Sequence, residues 1–131
     1  MMACVTENRS GVELLPCSFR FHNFVVKVSD TNINCQIIRM KDSLYLWIGD
    51  SINGSMEDLS FALTSSFERQ PIATKIIGSI ADATSTNMAK RLSMKLGKAV
   101  YVSFNITPNN IILPGIERRI QEEFKAHTDL Y

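Results

Sequence analysis

The chain has 131 residues, of which 45% are apolar and 21% charged, with a formal net charge of +1. That size fits one domain with a core that forms without disulfides or metals. The near-neutral charge excludes a global attraction to nucleic acid or an anionic membrane, and no apolar run approaches the ~18 residues of a membrane span.

Residues 1–18 are polar, aperiodic and interrupted by Gly11 and Pro16, and are expected to form a flexible tail ahead of a domain over residues 19–131. From Phe21 the pattern changes. Phe24, Val26 and Val28 alternate with Val25 and Lys27 as in a strand, and Ser29 to Asn32 is turn chemistry. Ile33, Cys35 and Ile37 alternate in a second strand, and Lys41-Asp42-Ser43 turns the chain into a third. In Leu44-Tyr45-Leu46-Trp47-Ile48, Leu44, Leu46 and Ile48 point one way while Tyr45 and the single tryptophan point the other. A half-exposed antiparallel strand alternates apolar with polar, so this one needs cover on both faces.

A polar loop from Gly49 to Asp58 precedes a fourth strand over Leu59–Leu63, where helix is the competing assignment. Pro71 breaks the chain before a fifth strand over Ile72–Ile77. A helix then starts near Asp82, Thr84 or Ser85, buries Met88, Ala89, Leu92 and Leu96, and stops at Gly97. Ala99 to Ile106 alternates as a sixth strand. Pro114 suits the first turn of a last helix whose apolar face is Leu113, Ile116, Ile120 and Phe124. The expected fold is α+β: a mainly antiparallel six-stranded sheet with two amphipathic helices on one side, in a single domain.

The sequence offers little catalytic chemistry. His22 and His127 lie far apart in the chain, no Cys-x-x-Cys or His-x-x-x-His spacing holds a metal, and Gly49 to Gly54 lacks the Gly-Lys-Ser/Thr of a phosphate loop. No catalytic residue, cofactor or metal is expected. Glu117, Glu122 and Glu123 read as a solvated helix face. Cys4, Cys17 and Cys35 are an odd, unpaired set that suits reduced thiols in cytosol or nucleus, with Cys35 a small buried hydrophobe.

Two features stand above this background. Tyr45, Trp47, Tyr101 and Phe104 form an aromatic set on sheet faces that two helices cannot cover twice over, so part of it should meet another chain. Lys90, Arg91, Lys95 and Lys98 form a basic group on the first helix, a candidate contact for an acidic protein surface; no aromatic residues interleave with it as a nucleic-acid site requires.

His22-Asn23-Phe24, Asp42 to Gly49, Thr84-Ser85-Thr86 before Ala89-Lys90-Arg91-Leu92, Val100 to Asn105 and Ile120-Gln121-Glu122-Glu123 occur in that order, and the set resembles the proteasome assembly chaperone 4 family. The resemblance implies a non-enzymatic chaperone. Its implied partner is a proteasome assembly chaperone 3-like subunit, with a homodimer as the alternative when isolated. The pair is expected to promote assembly of the 20S proteasome α-subunit ring, to contact proteasome α-type subunits and to leave before maturation, in cytoplasm and nucleus, without nucleic acid or membrane. Candidate partner-binding residues, chosen from local chemistry, are Tyr45, Trp47, Tyr101, Lys90, Arg91 and Lys95. The alternative is a dimeric adaptor or scaffold for another complex.

Overall fold

The computed structural model describes residues 3–8, 11–28, 30–50, 54–107 and 110–131, with side chains from residue 13 onward. Parts of the expected turns at residues 29 and 108–109, and residues 51–53 of the loop compared with a phosphate loop, lie outside the described residues. In the N-terminal region, β1 (Ala3–Asn8) and β2 (Gly11–Pro16) pair antiparallel with each other. The aperiodic reading of residues 1–18 is corrected there. The register runs from Ala3 opposite Pro16 to Asn8 opposite Gly11, a backbone ladder that no apolar alternation announces in the sequence.

The remaining strands are β3 (Arg20–Val28), β4 (Thr31–Arg39), β5 (Ser43–Asp50), β6 (Leu59–Leu63), β7 (Ile72–Ile77) and β8 (Ala99–Asn105). They form one six-stranded sheet in the order β3-β4-β5-β8-β6-β7. Every neighbouring pair is antiparallel except β5 and β8. That parallel pair follows from topology. The chain leaves β5, builds the β6–β7 hairpin, crosses over through α1 (Thr84–Leu96) and returns between β5 and β6.

Helix α1 starts without a side-chain cap on its own N-cap residue, Ala83. Instead the carboxylate of Asp82 accepts the Thr84 backbone N–H at 3.1 Å, which holds the Asp82 carboxyl below its ordinary range. Gly97 ends the helix in the left-handed region, φ 67°, its N–H donating to the Ser93 carbonyl. Helix α2 (Leu113–Ala126) carries Pro114 in its first turn, and a 3-10 turn follows over Thr128–Leu130. Helix α2 lies close to β3 at Gly115, where a methyl group would meet Val28 in ordinary van der Waals contact at 3.4 Å.

One side of the sheet holds the core. Val26, Ile33, Cys35, Ile37, Leu44, Leu46, Ile48, Val100, Val102 and Phe104 meet Met88, Ala89 and Leu92 of α1 and Ile116, Ile120 and Phe124 of α2. Phe104 therefore belongs to the interior and leaves the aromatic set. Cys35 is buried as expected, and burial pushes its thiol up to about 12. Among the described residues, no helix is long and apolar enough to cross a membrane.

Candidate functional site

Register carries an apolar row across the face that the helices leave open. Phe21 of β3 stands opposite Ile38 of β4, Ile38 opposite Tyr45 of β5, Tyr45 opposite Tyr101 of β8, and Tyr101 opposite Phe61 of β6. Paired residues project to the same face, so five strands contribute one continuous line of large side chains. The Phe61 and Tyr101 rings lie 4.7 Å apart. Phe21 at the β3 edge and Ile72 near the β7 edge are 45% and 51% exposed. Phe19, Phe21, Ile38, Met40, Tyr45 and Tyr101 line a shallow depression at this end of the face.

The neighbouring row reads Asn23, Gln36, Trp47 and Ser103. It is polar except for Trp47, and Trp47 already has an internal task. Its indole N–H donates to the Ser55 carbonyl at 3.1 Å, and the ring lies back over Gly49. Tyr45 Oη donates toward Met56 Sδ at 3.7 Å. Residues 54–57 thus lie against Trp47 and reach the Tyr45 hydroxyl, while the Tyr45 ring lines the open depression with Phe21, Ile38 and Tyr101. A methyl group on Gly49 would lie 2.3 Å from the Trp47 ring. Gly49→Ala is expected to swing the ring away, break its bond to Ser55 and cost about 1–2 kcal/mol. Red-shifted tryptophan emission and a lower denaturation midpoint are the measurements that check it.

The basic group is less open than its sequence suggests. Arg91 pairs with Glu117 across the helix interface, and Lys95 Nζ donates to Gln121 Oε1 at 2.9 Å. These two residues join α1 to α2; Lys90, on the same helix, is half-buried.

Two polar clusters escaped the sequence reading. The inward register row runs His22, Ile37, Leu46, Val102, Ser60, Lys75: apolar in the middle strands and polar toward the β6–β7 side and at the β3 edge. At the β7 end, Lys75 Nζ donates to Asp58 Oδ1 at 2.5 Å and to Ser85 Oγ at 3.0 Å, while Ser60 Oγ meets Ser85 Oγ at 2.7 Å. Asp58 Oδ2 accepts the Phe104 backbone N–H and the Asp58 carbonyl accepts the Ser103 hydroxyl. Asp58 thereby replaces a missing strand partner where β8 outruns β6. An apolar strand with a lysine at an inward position was the available signal.

At the β3 end, His22 Nε2 lies 2.5 Å from Glu123 Oε1, and Arg119 takes the other Glu123 oxygen. Glu123 is buried, so the expectation that it belongs to a solvated helix face is corrected. Glu122 pairs with Arg118 on the exposed side as expected. Burial raises the Glu123 pKa, but hydrogen bonds from His22 and Arg119 outweigh it and hold the carboxyl below its ordinary value of 4.5. A depressed carboxylate contributes stability above the unfolded value and loses it as pH falls through the folded one. Acid unfolding below about 4.5 should accordingly be less steep in Glu123→Gln than in the parent, read by circular dichroism against pH.

Comparison with known proteins agrees with this architecture. A sequence profile described as proteasome assembly chaperone 4 matches residues 32–106. Proteasome assembly chaperone 4 of Homo sapiens is 34% identical over 112 residues, covering 84% of this chain and 89% of that protein. The chain belongs to the proteasome assembly chaperone 4 family. The Mus musculus protein is 33% identical over 112 residues, with the same coverage. A chain described as part of a novel chaperone complex for yeast 20S proteasome assembly superposes with a TM-score of 0.55 at 10% identity. It covers 86% of this chain and 94% of that one, and shows the same fold. Tyr45, Trp47, Asp58, Lys75 and Tyr101 fall inside the segment matched to proteasome assembly chaperone 4, whereas His22 and Glu123 flank it.

Proposed function

We propose that this chain is a non-catalytic chaperone of 20S proteasome assembly that dimerises with a homologous, proteasome assembly chaperone 3-like subunit through its open sheet face. The observation that carries this reading is the row Phe21, Ile38, Tyr45, Tyr101 and Phe61, in register and without a covering layer from either helix. A contiguous apolar patch of large side chains marks an interaction surface, and aromatic anchors supply most of the energy in such contacts. The relatives named for proteasome assembly support the choice of complex.

The dimer then presents a composite surface to proteasome α-type subunits and leaves before maturation. Displacement by competition suits a scaffold of this kind, since exchange among related complexes is set mainly by dissociation rates. The helix face bearing Lys90, Arg91 and Lys95 is assigned to the ring contact. Lys90→Glu combined with Lys95→Glu is the variant of choice, because reversing Arg91 would also set two acids against each other at Glu117. Affinity purification from cells should recover α-type subunits with the parent chain and fewer with the double variant, at equal recovery of the partner chaperone. Unchanged recovery of α-type subunits would remove the helix face from the proposal, and their absence from the parent purification would remove the function.

A further inference from the structure

We propose that His22, Glu123 and His127 form a binding site for a divalent transition-metal cation of the zinc type, clasping the end of α2 to the edge strand β3. Among the described residues this is the one group with metal-ligand character, its donor atoms all lying within 4.8 Å of one another. Glu123 Oε1 is shared: it lies 2.5 Å from His22 Nε2 and 3.4 Å from His127 Nε2. The two imidazole rings lie with centroids 4.7 Å apart, their planes tilted by 46°.

Helix geometry sets two of the three donors. Glu123 and His127 are four residues apart, so they stack on the same side at the C-terminal end of α2. The third comes from the inward face of β3. Tetrahedral zinc with bonds of about 2.0–2.1 Å separates its ligand atoms by ~3.3 Å. The His127–Glu123 separation already fits, and the His22–Glu123 pair needs to open by less than ~1 Å on this scale. Arg119 occupies the second Glu123 oxygen and so presents Oε1 to both rings, as an outer partner does for a metal-ligating carboxylate. Its positive charge opposes the cation, which places affinity below that of a four-ligand structural site. Two imidazoles and one carboxylate suit zinc, copper, nickel or iron, whereas magnesium and calcium prefer oxygen alone. Cys35, on the adjoining strand, is packed in the core and falls outside this group of donor atoms. The fourth position is left to water or to a partner's side chain. This inference stands independently of the chaperone reading.

The test uses the folded full chain with its accessible thiols alkylated under native conditions, titrated with zinc chloride by calorimetry, with magnesium chloride as the control. Saturable one-to-one zinc binding and a raised unfolding temperature are expected, with no magnesium response. His127 is exposed, so His127→Ala should fold normally and bind zinc more than about 10-fold weaker. His22→Ala should lose binding likewise. Absence of one-to-one binding in the parent chain, or undiminished affinity in His127→Ala, would overturn the site.

Discussion

Replacing Tyr101 with arginine is expected to weaken the pairing with the partner chaperone at least about 30-fold, the loss of one aromatic anchor worth about 2 kcal/mol or more. Tyr101 sits in β8, in the interior of the sheet, between Tyr45 on one side and Phe61 on the other. An anchor in that position has its neighbours shielded from water once the face is covered. A guanidinium in its place must be desolvated without a partner, which adds to the cost of the lost ring. The isolated chain should tolerate the change, since the side chain points away from the core and forfeits mainly its contact with Phe61, about 0.5–1.5 kcal/mol. Met94→Ser, on the exposed side of α1, serves as the control and should leave pairing unaltered. Sedimentation or size-exclusion titration of the two chaperones reads both variants.

The second large effect falls on stability. Asp58→Ala should cost about 3–5 kcal/mol, because it leaves the Lys75 ammonium buried without its counter-charge. Lys75 is only 6% exposed at its side chain, and its remaining bond to Ser85 cannot neutralise it. The same substitution strips the Phe104 backbone N–H of its acceptor. Asp58→Asn keeps an oxygen for that N–H and should fall between Ala and the parent. Pairing it with Lys75→Met removes both charges together, so the double variant should be more stable than the sum of the single ones by about 1 kcal/mol or more. Urea unfolding of the four proteins closes the cycle, and additive losses would show that the ion pair is not coupled.

Much of the fold is legible because alternation records which face each residue serves. Leu44, Leu46 and Ile48 go inward and Tyr45 and Trp47 outward, as period two requires. Leu59–Leu63 is a strand because Ser60 and Ala62 fill the tight space beneath α1 while Phe61 joins the open face. The strand order was not legible. Nothing local to Ala99–Asn105 tells that it returns parallel to β5, since that neighbour is chosen by the α1 crossover. The open face was visible as excess apolar surface, but only tertiary structure ties the Trp47 indole to Ser55, and only register sets Tyr45 beside Tyr101. The polar clusters were hidden for a related reason. Asp58 and Lys75, or His22 and Glu123, are unremarkable separately and gain meaning only when tertiary structure joins them.

The central claim, that the uncovered sheet face is the surface by which this chaperone pairs, is tested most directly by oxidative footprinting of the co-expressed complex, with native mass recorded on the same sample. The account predicts a one-to-one complex with the proteasome assembly chaperone 3-like subunit in which Phe21, Tyr45, Phe61 and Tyr101 are protected, while Met94 stays as reactive as in the free chain. A complex whose four rings remain fully labelled, or a chain that stays alone in the presence of that subunit, would contradict it.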